Sequence, residues 1–443
     1  MTRIVFFPIS LTTRMAVQST QDQNQQKQRL SVYMTYFLSI LGGIGIGLNS
    51  FSTSLYTTTL ASYHGIGNAE ASLWVGLVAT GFGLTYCVSP VLLGHISDKI
   101  GRRLALVIAM LGFAGTNIYI IAFASHPLHL VIANAFTGFF YGFYWSPIEA
   151  YLSEMTEGIS MKLHAKSLSI YLVCWSIGLT IGPFLGGIYD AYGSMLLAFY
   201  ALVVIAISAA IMAGRYIFTK QEIADFKKLA KRLGTSVPEI SIFSGANKVR
   251  LTYLKVGIAF SAIYFAFTNQ ILQRIFPAFA VVHMDSGLLF NSLSKALTAS
   301  ILIFFLGIAR TITLWHTGVI SSRARVNLLF IVALGIPVAN LFIYLFPVAD
   351  ALLVSFIVYG LFNGYAYCVG VILLMELSKT GKGLKAGIYE AAIGVGFLAS
   401  TFISGIVSPF DPYAPFLLGT LVSAGLTAVL VVVKLWSKRR DQG

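Results

Sequence analysis

Apolar stretches of about twenty residues recur along the whole chain, each long enough as a helix to cross a bilayer core of roughly 30 Å. They fall at 32–58, 73–95, 104–124, 128–152, 168–189, 194–214, 253–281, 292–316, 326–346, 351–375, 386–407 and 413–435. A single anchor on a soluble domain is excluded. The chain is 57% hydrophobic and 10% charged over 443 residues, more apolar surface than a water-soluble particle of that size can hide, so lipid is its main solvent. Barrel strands would be about 10 residues long and would alternate polar with apolar. No such alternation is present, and the expected fold is an all-α membrane protein with twelve transmembrane helices.

Lys and Arg number 30 against 16 Asp and Glu, and their placement follows topology rather than a nucleic-acid partner. With the N-terminus inside, the even-numbered connections and the tails hold Arg29, Lys99, Arg102, Arg103, Lys162, Lys166, nine basic residues from Arg215 to Lys255, Arg323, Arg325, Lys379, Lys382, Lys385 and Lys434 to Arg440. The opposite connections hold Glu70, Asp190, Asp285, Asp350 and Asp411. This positive-inside distribution predicts that both termini are cytoplasmic. Residues 1–30 read as a disordered, Gln-rich cytoplasmic tail, since the short apolar run FFPIS is no signal peptide. Cys87, Cys174 and Cys368 all fall inside spans, where cysteine is usually a packing residue.

A hydrophilic stretch at 215–252 divides six spans from six and includes KKLAKRLGTSVPEI, a candidate surface helix. The expected organisation is a first half at 31–214, a linker at 215–252, a second half at 253–435 and a tail at 436–443. At an offset of 222 residues, Gly138, Gly142 and Glu154 fall on Gly360, Gly364 and Glu376. After a four-residue shortening, Ile170, Tyr171, Gly178 and Gly187 fall on Ile388, Tyr389, Gly396 and Gly405. A duplicated six-helix unit with its site between the halves is the consequence.

Between spans 2 and 3 stand Gly94, Asp98, Gly101, Arg102 and Arg103 in the spacing G-x-x-x-D-x-x-G-R-R. The glycines allow a tight reversal and the charges can form charge-assisted bonds in a short loop. The pattern resembles the signature cytoplasmic loop of the major facilitator superfamily. That resemblance implies a latch on the cytoplasmic side, with the acid facing the N-terminus of a helix in the other half. A topogenic charge cluster would show the same residues. In span 5, Gly178, Gly182, Pro183, Gly186 and Gly187 resemble the G-x-x-x-G-P-x-x-G-G motif of proton-coupled antiporters in that superfamily, and equally suit a helix-packing face. Span 4 departs from the family pattern. Asn134 stands where the family often has an arginine, four residues before Gly138.

Spans 1, 4, 7 and 10 line the pathway in that family. Helical spacing on them aligns Asn49, Thr53 and Tyr56; Asn134, Tyr141 and Trp145; Phe267, Gln270 and Arg274; and Asn363 with Tyr367. These are the candidate cavity residues, and the aromatics among them would also suit packing between helices. Glu149, Arg274, Arg310 and Glu390 are charges inside spans, where ionised groups cost about 3 kcal/mol and face water or a partner. Glu149 and Glu390 are candidate proton carriers, or supports near the cytoplasmic interface. His126 and His129 read as a solvated pair rather than metal ligands.

No ATP-binding loop, metalloprotease motif or nucleophile constellation is present, so the resemblance implies secondary transport, not an enzyme. No cofactor, metal or nucleic-acid partner is implied. The expected function is proton-coupled export of a small organic solute by a monomer in the plasma membrane. Nutrient uptake by the same fold, or a receptor or chaperone on this scaffold, stays open.

Overall fold

The structure, a computed structural model, describes residues 11–156, 161–232, 248–320, 322–377 and 382–440. They form an almost wholly helical chain. The first half holds α1 (Leu11–Tyr63), α2 (Asn68–Tyr86), α3 (Ser89–Ile100), α4 (Arg102–Phe123), α5 (Pro127–Met155), α6 (Met161–Ala191) and α7 (Met195–Tyr216). A connecting helix, α8 (Lys220–Arg232), follows. The second half holds α9 (Lys248–Gln270), a π-helical turn (Ile271–Ile275), α10 (Phe276–His283), α11 (Lys295–Val319), α12 (Ser322–Leu345), α13 (Ala349–Leu377), α14 (Lys382–Val407) and α15 (Ala414–Arg440).

Among the described residues, eight helical segments are long and apolar enough to cross a membrane, and Leu334–Leu345 and Ala414–Val429 are shorter apolar pieces. Three departures from the sequence reading have local causes. The segment read as a tail is helical from Leu11, because no glycine or proline interrupts 11–41. Gln28 there donates to the Met155 carbonyl at 2.8 Å. Span 2 breaks at Cys87–Val88, because Pro90 has no N–H to offer the Tyr86 carbonyl. The connecting helix begins at Lys220, earlier than KKLAKRLGTSVPEI suggested, and residues 233–247 lie outside the described residues.

Glycines set the helix pairs. A methyl group on Gly178 or Gly182 of α6 would strike the backbone of α1, at Ile40 and Ile44 in the first case and at Ile44 and Leu48 in the second. Gly43 of α1 meets the Trp175 carbonyl in return. Gly138 of α5 faces the Phe82 carbonyl of α2, while Gly360 of α13, 222 residues further on, faces the Leu306 carbonyl of α11. Gly364 likewise abuts Arg310 and Thr313 of α11. Close approach of this kind is how helices associate where lipid supplies no hydrophobic driving force.

Two helix pairs join the halves. α2 meets α14 at Gly76 on Gly405, Gly83 on Leu398 and Gly394 on Cys87. α6 meets α11 at Gly187 on Ser300, Gly307 on Thr180 and Gly318 on Ser169. Ser169 also donates to the Leu314 carbonyl at 2.6 Å. Both joints run along the length of their helices, with an interior space between them.

Candidate functional site

That interior holds a cavity of about 50 Å3. Its walls come from both halves: Ile46 and Ser50 of α1, Phe82 and Tyr86 of α2, Trp145 of α5 and Trp175 and Leu179 of α6 on one side. Opposite stand Phe265, Asn269 and Gln270 of α9, Gln273 of the π-turn, Tyr367 of α13 and Glu390, Ile393 and Phe397 of α14. At about 10–15 Å3 per water on this measure, the space holds a few waters and no organic molecule.

The polar wall is incompletely satisfied. Gln270 Oε1 and both side-chain polar atoms of Gln273 are buried without a partner among the described residues. The π-turn places Gln273 and Arg274 beside the cavity: the Phe276 N–H reaches back to the Ile271 carbonyl, and Pro277 has no N–H to donate. Ser54 of α1 donates to the Arg274 carbonyl at 2.7 Å, tying this turn to the first half.

Two guanidiniums lie behind the aromatic walls. Arg274 is 2% exposed, sits 4.1 Å above the Phe82 ring and donates from Nη1 to Asn134 Oδ1 at 3.2 Å. The span-4 position without an arginine thus receives one from span 7. Arg310 is 0% exposed and lies 5.1 Å from the Trp175 ring. It donates from Nε to Ser176 Oγ at 2.9 Å and from Nη1 to Asn269 Oδ1 at 3.5 Å. Among the described residues, the ion pairs found involve neither guanidinium.

The two interior acids come from opposite halves. Glu390 faces the cavity and accepts from the Tyr86 hydroxyl at 2.5 Å and from the Tyr367 hydroxyl at 3.5 Å. Glu149 of α5 is close enough to interact with it electrostatically, and its Oε1 has no partner among the described residues.

Of the cavity residues expected from sequence, Trp145, Gln270 and Tyr367 line it, together with the expected proton carrier Glu390. The others stand off it. Thr53 donates to the Asn49 carbonyl at 2.7 Å, and the Asn49 amide is buried with no partner among the described residues. Tyr56 lies against Phe199 and donates to the Ala124 carbonyl, well away from the cavity. Tyr141 donates to the Gly42 carbonyl and packs on Phe113 at 4.8 Å. Phe267 belongs to the apolar core of the second half, and Asn363 donates to the Tyr359 hydroxyl at 3.0 Å. Sequence reasoning missed Phe82, Tyr86 and Trp175, although aromatics four apart on span 2 were a usable signal. On span 1 the stripe through Asn49 is one residue off the cavity face, which carries Ile46 and Ser50.

At the motif between the second and third expected spans, Gly101 has φ +95°, a backbone state that favours glycine, and it joins α3 to α4. Arg102 pairs with Asp98, meets Glu154 Oε1 at 3.0 Å and donates to Ser97 Oγ at 2.5 Å. All three partners lie in the first half. The expected bond from the acid into the other half is not seen among the described residues; the crossing contact here is steric, Gly387 against the Pro90 carbonyl. Arg103 adds positive potential beside Glu222 of α8, whose carboxyl the Thr219 N–H bond chiefly holds below its usual range. Gly94 is buried in α3. In α6, Gly182 and Gly178 pack on α1, Pro183 lies against Gly47, Gly186 against Phe51 and Gly187 against α11.

On the opposite connections, His126 Nδ1 accepts the Leu128 N–H and His129 Nδ1 the Ser125 N–H. No group of three His, Cys, Asp or Glu among the described residues is placed to hold a metal.

Residues 36–382 match the family model of the Major Facilitator Superfamily. The multidrug resistance protein MdtG of Proteus mirabilis is 26% identical, over 71% of this chain and 72% of its own. The human lysosomal proton-coupled steroid conjugate and bile acid symporter SLC46A3 is 26% identical over half of each chain. Among solved structures, the human organic anion transporter MFSD10 superposes with a TM-score of 0.65 at 15% identity, covering 92% of this chain and 99% of that one.

Proposed function

This chain belongs to the Major Facilitator Superfamily, and on that premise we propose that it is a secondary transporter that moves a small organic solute by alternating access, coupled to protons. In this reading twelve spans form two six-helix repeats, both termini are cytoplasmic, and the chain works as a monomer in the plasma membrane. The observation that carries it is the interior cavity, walled by residues from both halves and lined by Glu390. Its small volume has no room for an organic solute, and in this reading rocking about the α2–α14 and α6–α11 joints widens it towards one side at a time. Glu390, with Glu149 behind it, carries the proton.

The span-5 glycine motif and the likeness to a multidrug resistance protein favour export in exchange for protons. Uptake with protons, as the name of the human symporter suggests for that protein, would use the same residues with the opposite coupling. The test is solute-driven proton movement in proteoliposomes of the purified protein, screened over anionic, cationic and neutral compounds. Acidification or alkalinisation of the lumen that needs both solute and protein is expected. Solute binding without any flux would instead mark a receptor on this scaffold.

The Asp98–Arg102–Glu154 cluster acts here as the cytoplasmic latch by bracing the end of α3 against α5. Asp98 is 41% exposed, and Asp98→Asn leaves Glu154 on Arg102. A pair of this exposure contributes about 1 kcal/mol or less, so transport is expected to slow by roughly fivefold at most, with solute affinity unchanged. Loss of solute binding in detergent would count against a bracing role.

A further inference from the structure

Arg274 and Arg310 both belong to the second half, yet the side chains holding them are largely from the first: Asn134 and Phe82 for one, Ser176 and Trp175 for the other. Every hydrogen-bond partner found among the described residues is neutral, and Arg274 Nε and Nη2 and Arg310 Nη2 are buried with no acceptor among them. A guanidinium stays charged under ordinary conditions and is stable at this depth only when a counter-charge or water reaches it. Arg274 lies behind Phe82, and Arg310 lies behind Trp175 and bonds to Asn269; Phe82, Trp175 and Asn269 all line the cavity. Neither cation is screened from the cavity by an acid among the described ion pairs.

We propose that Arg274 and Arg310 form a two-point cation site for solutes that carry two acidic groups on an aromatic or similarly flat apolar body. Asn134 and Ser176 are place-holders, neutral acceptors that each guanidinium gives up when a carboxylate arrives, because the charge-assisted bond is about twice as strong as a neutral one. The aromatic walls take the body of the solute. Exchange of acceptors also releases the second half from the first at two points, so filling the site and loosening the contact between the halves are one event. This inference rests on the transport reading and specifies its solute.

The test uses the full chain in lipid nanodiscs, with naphthalene dicarboxylate isomers and the mono-amide of each as probes, and affinity read by calorimetry. At least one dicarboxylate is expected to bind about thirtyfold or more tighter than its mono-amide, as for a desolvated charge pair. Arg274→Gln and Arg310→Gln should each erase that preference. Ser176→Ala, a change that removes the place-holder without touching charge, should tighten dicarboxylate binding. Equal binding of acid and mono-amide, no binding of any dicarboxylate, or weakening by Ser176→Ala as severe as by Arg310→Gln would overturn the site. A wild type that carries neutral or cationic solutes with protons while ignoring these acids would remove the site and leave the transport reading standing. A dicarboxylate that binds with this preference but never crosses the membrane would do the reverse.

Discussion

Glu390→Gln is expected to bring solute-driven proton movement down to the level of empty liposomes while solute-for-solute exchange continues. Glutamine matches the shape of glutamate and can still accept from the Tyr86 hydroxyl, which lies 2.5 Å from Glu390 Oε2. It cannot take up or release a proton. The cavity therefore keeps its wall and loses the one titratable carboxyl that lines it. Glu149→Gln alters a carboxyl that stands off the cavity, and should slow coupled transport without abolishing it. Exchange and net flux are measured on the same proteoliposomes with labelled solute and a lumenal pH dye. Undiminished proton movement in Glu390→Gln would remove this residue from the proton path.

Gly178→Val is expected to prevent folding. The first atom of any side chain at 178 would meet the Ile40 carbonyl, the Ile44 nitrogen and the Gly43 α-carbon, all backbone atoms of α1 that no rotamer change can move aside. α1 and α6 would have to separate along the contact that Gly43, Gly47 and Gly182 also make. Overpacking of this kind costs about 3 kcal/mol or more, roughly a hundredfold in the folding equilibrium. Size-exclusion of detergent-solubilised protein should show the monodisperse peak lost. Gly115→Ala is the control, because nothing lies within 4 Å of the added methyl, and it should behave as wild type. A normal peak for Gly178→Val would mean that α1 and α6 are not held together at this point.

Helix positions were legible in the sequence because length and apolarity act locally. The glycine pairs were legible for the same reason: Gly138 and Gly142, and Gly360 and Gly364, repeat at a fixed spacing, and each pair meets a neighbouring helix. The cavity wall was only partly legible. Trp145 and Tyr367 face it, but Phe82, Tyr86 and Trp175 come from helices that also form the joints between halves. Which side of such a helix looks inward depends on how two halves tilt against each other, and no spacing along one helix encodes that angle. The partner of Arg274 was hidden similarly. Asp98 finds Arg102 within its own loop, whereas Arg274 finds Asn134, 140 residues away.

At the α2–α14 joint, Gly76 and Gly405 bring two backbones together with no side chain between them, and Gly83 and Gly394 repeat the arrangement further along. Interlocked side chains work like gear teeth: each must leave its rotamer before one surface can pass another. Here the backbones meet at the glycines, and what has to be unlocked is a short set of side-chain contacts: Thr80 on Thr401 at 3.3 Å, the Tyr86 hydroxyl on Glu390, and Phe397 against Phe82 and Tyr86. In the transport reading proposed above, a joint with so few interlocking side chains leaves the direction of turning to what fills the cavity and to the gradients on either side, and the same machine runs backwards when those gradients are reversed.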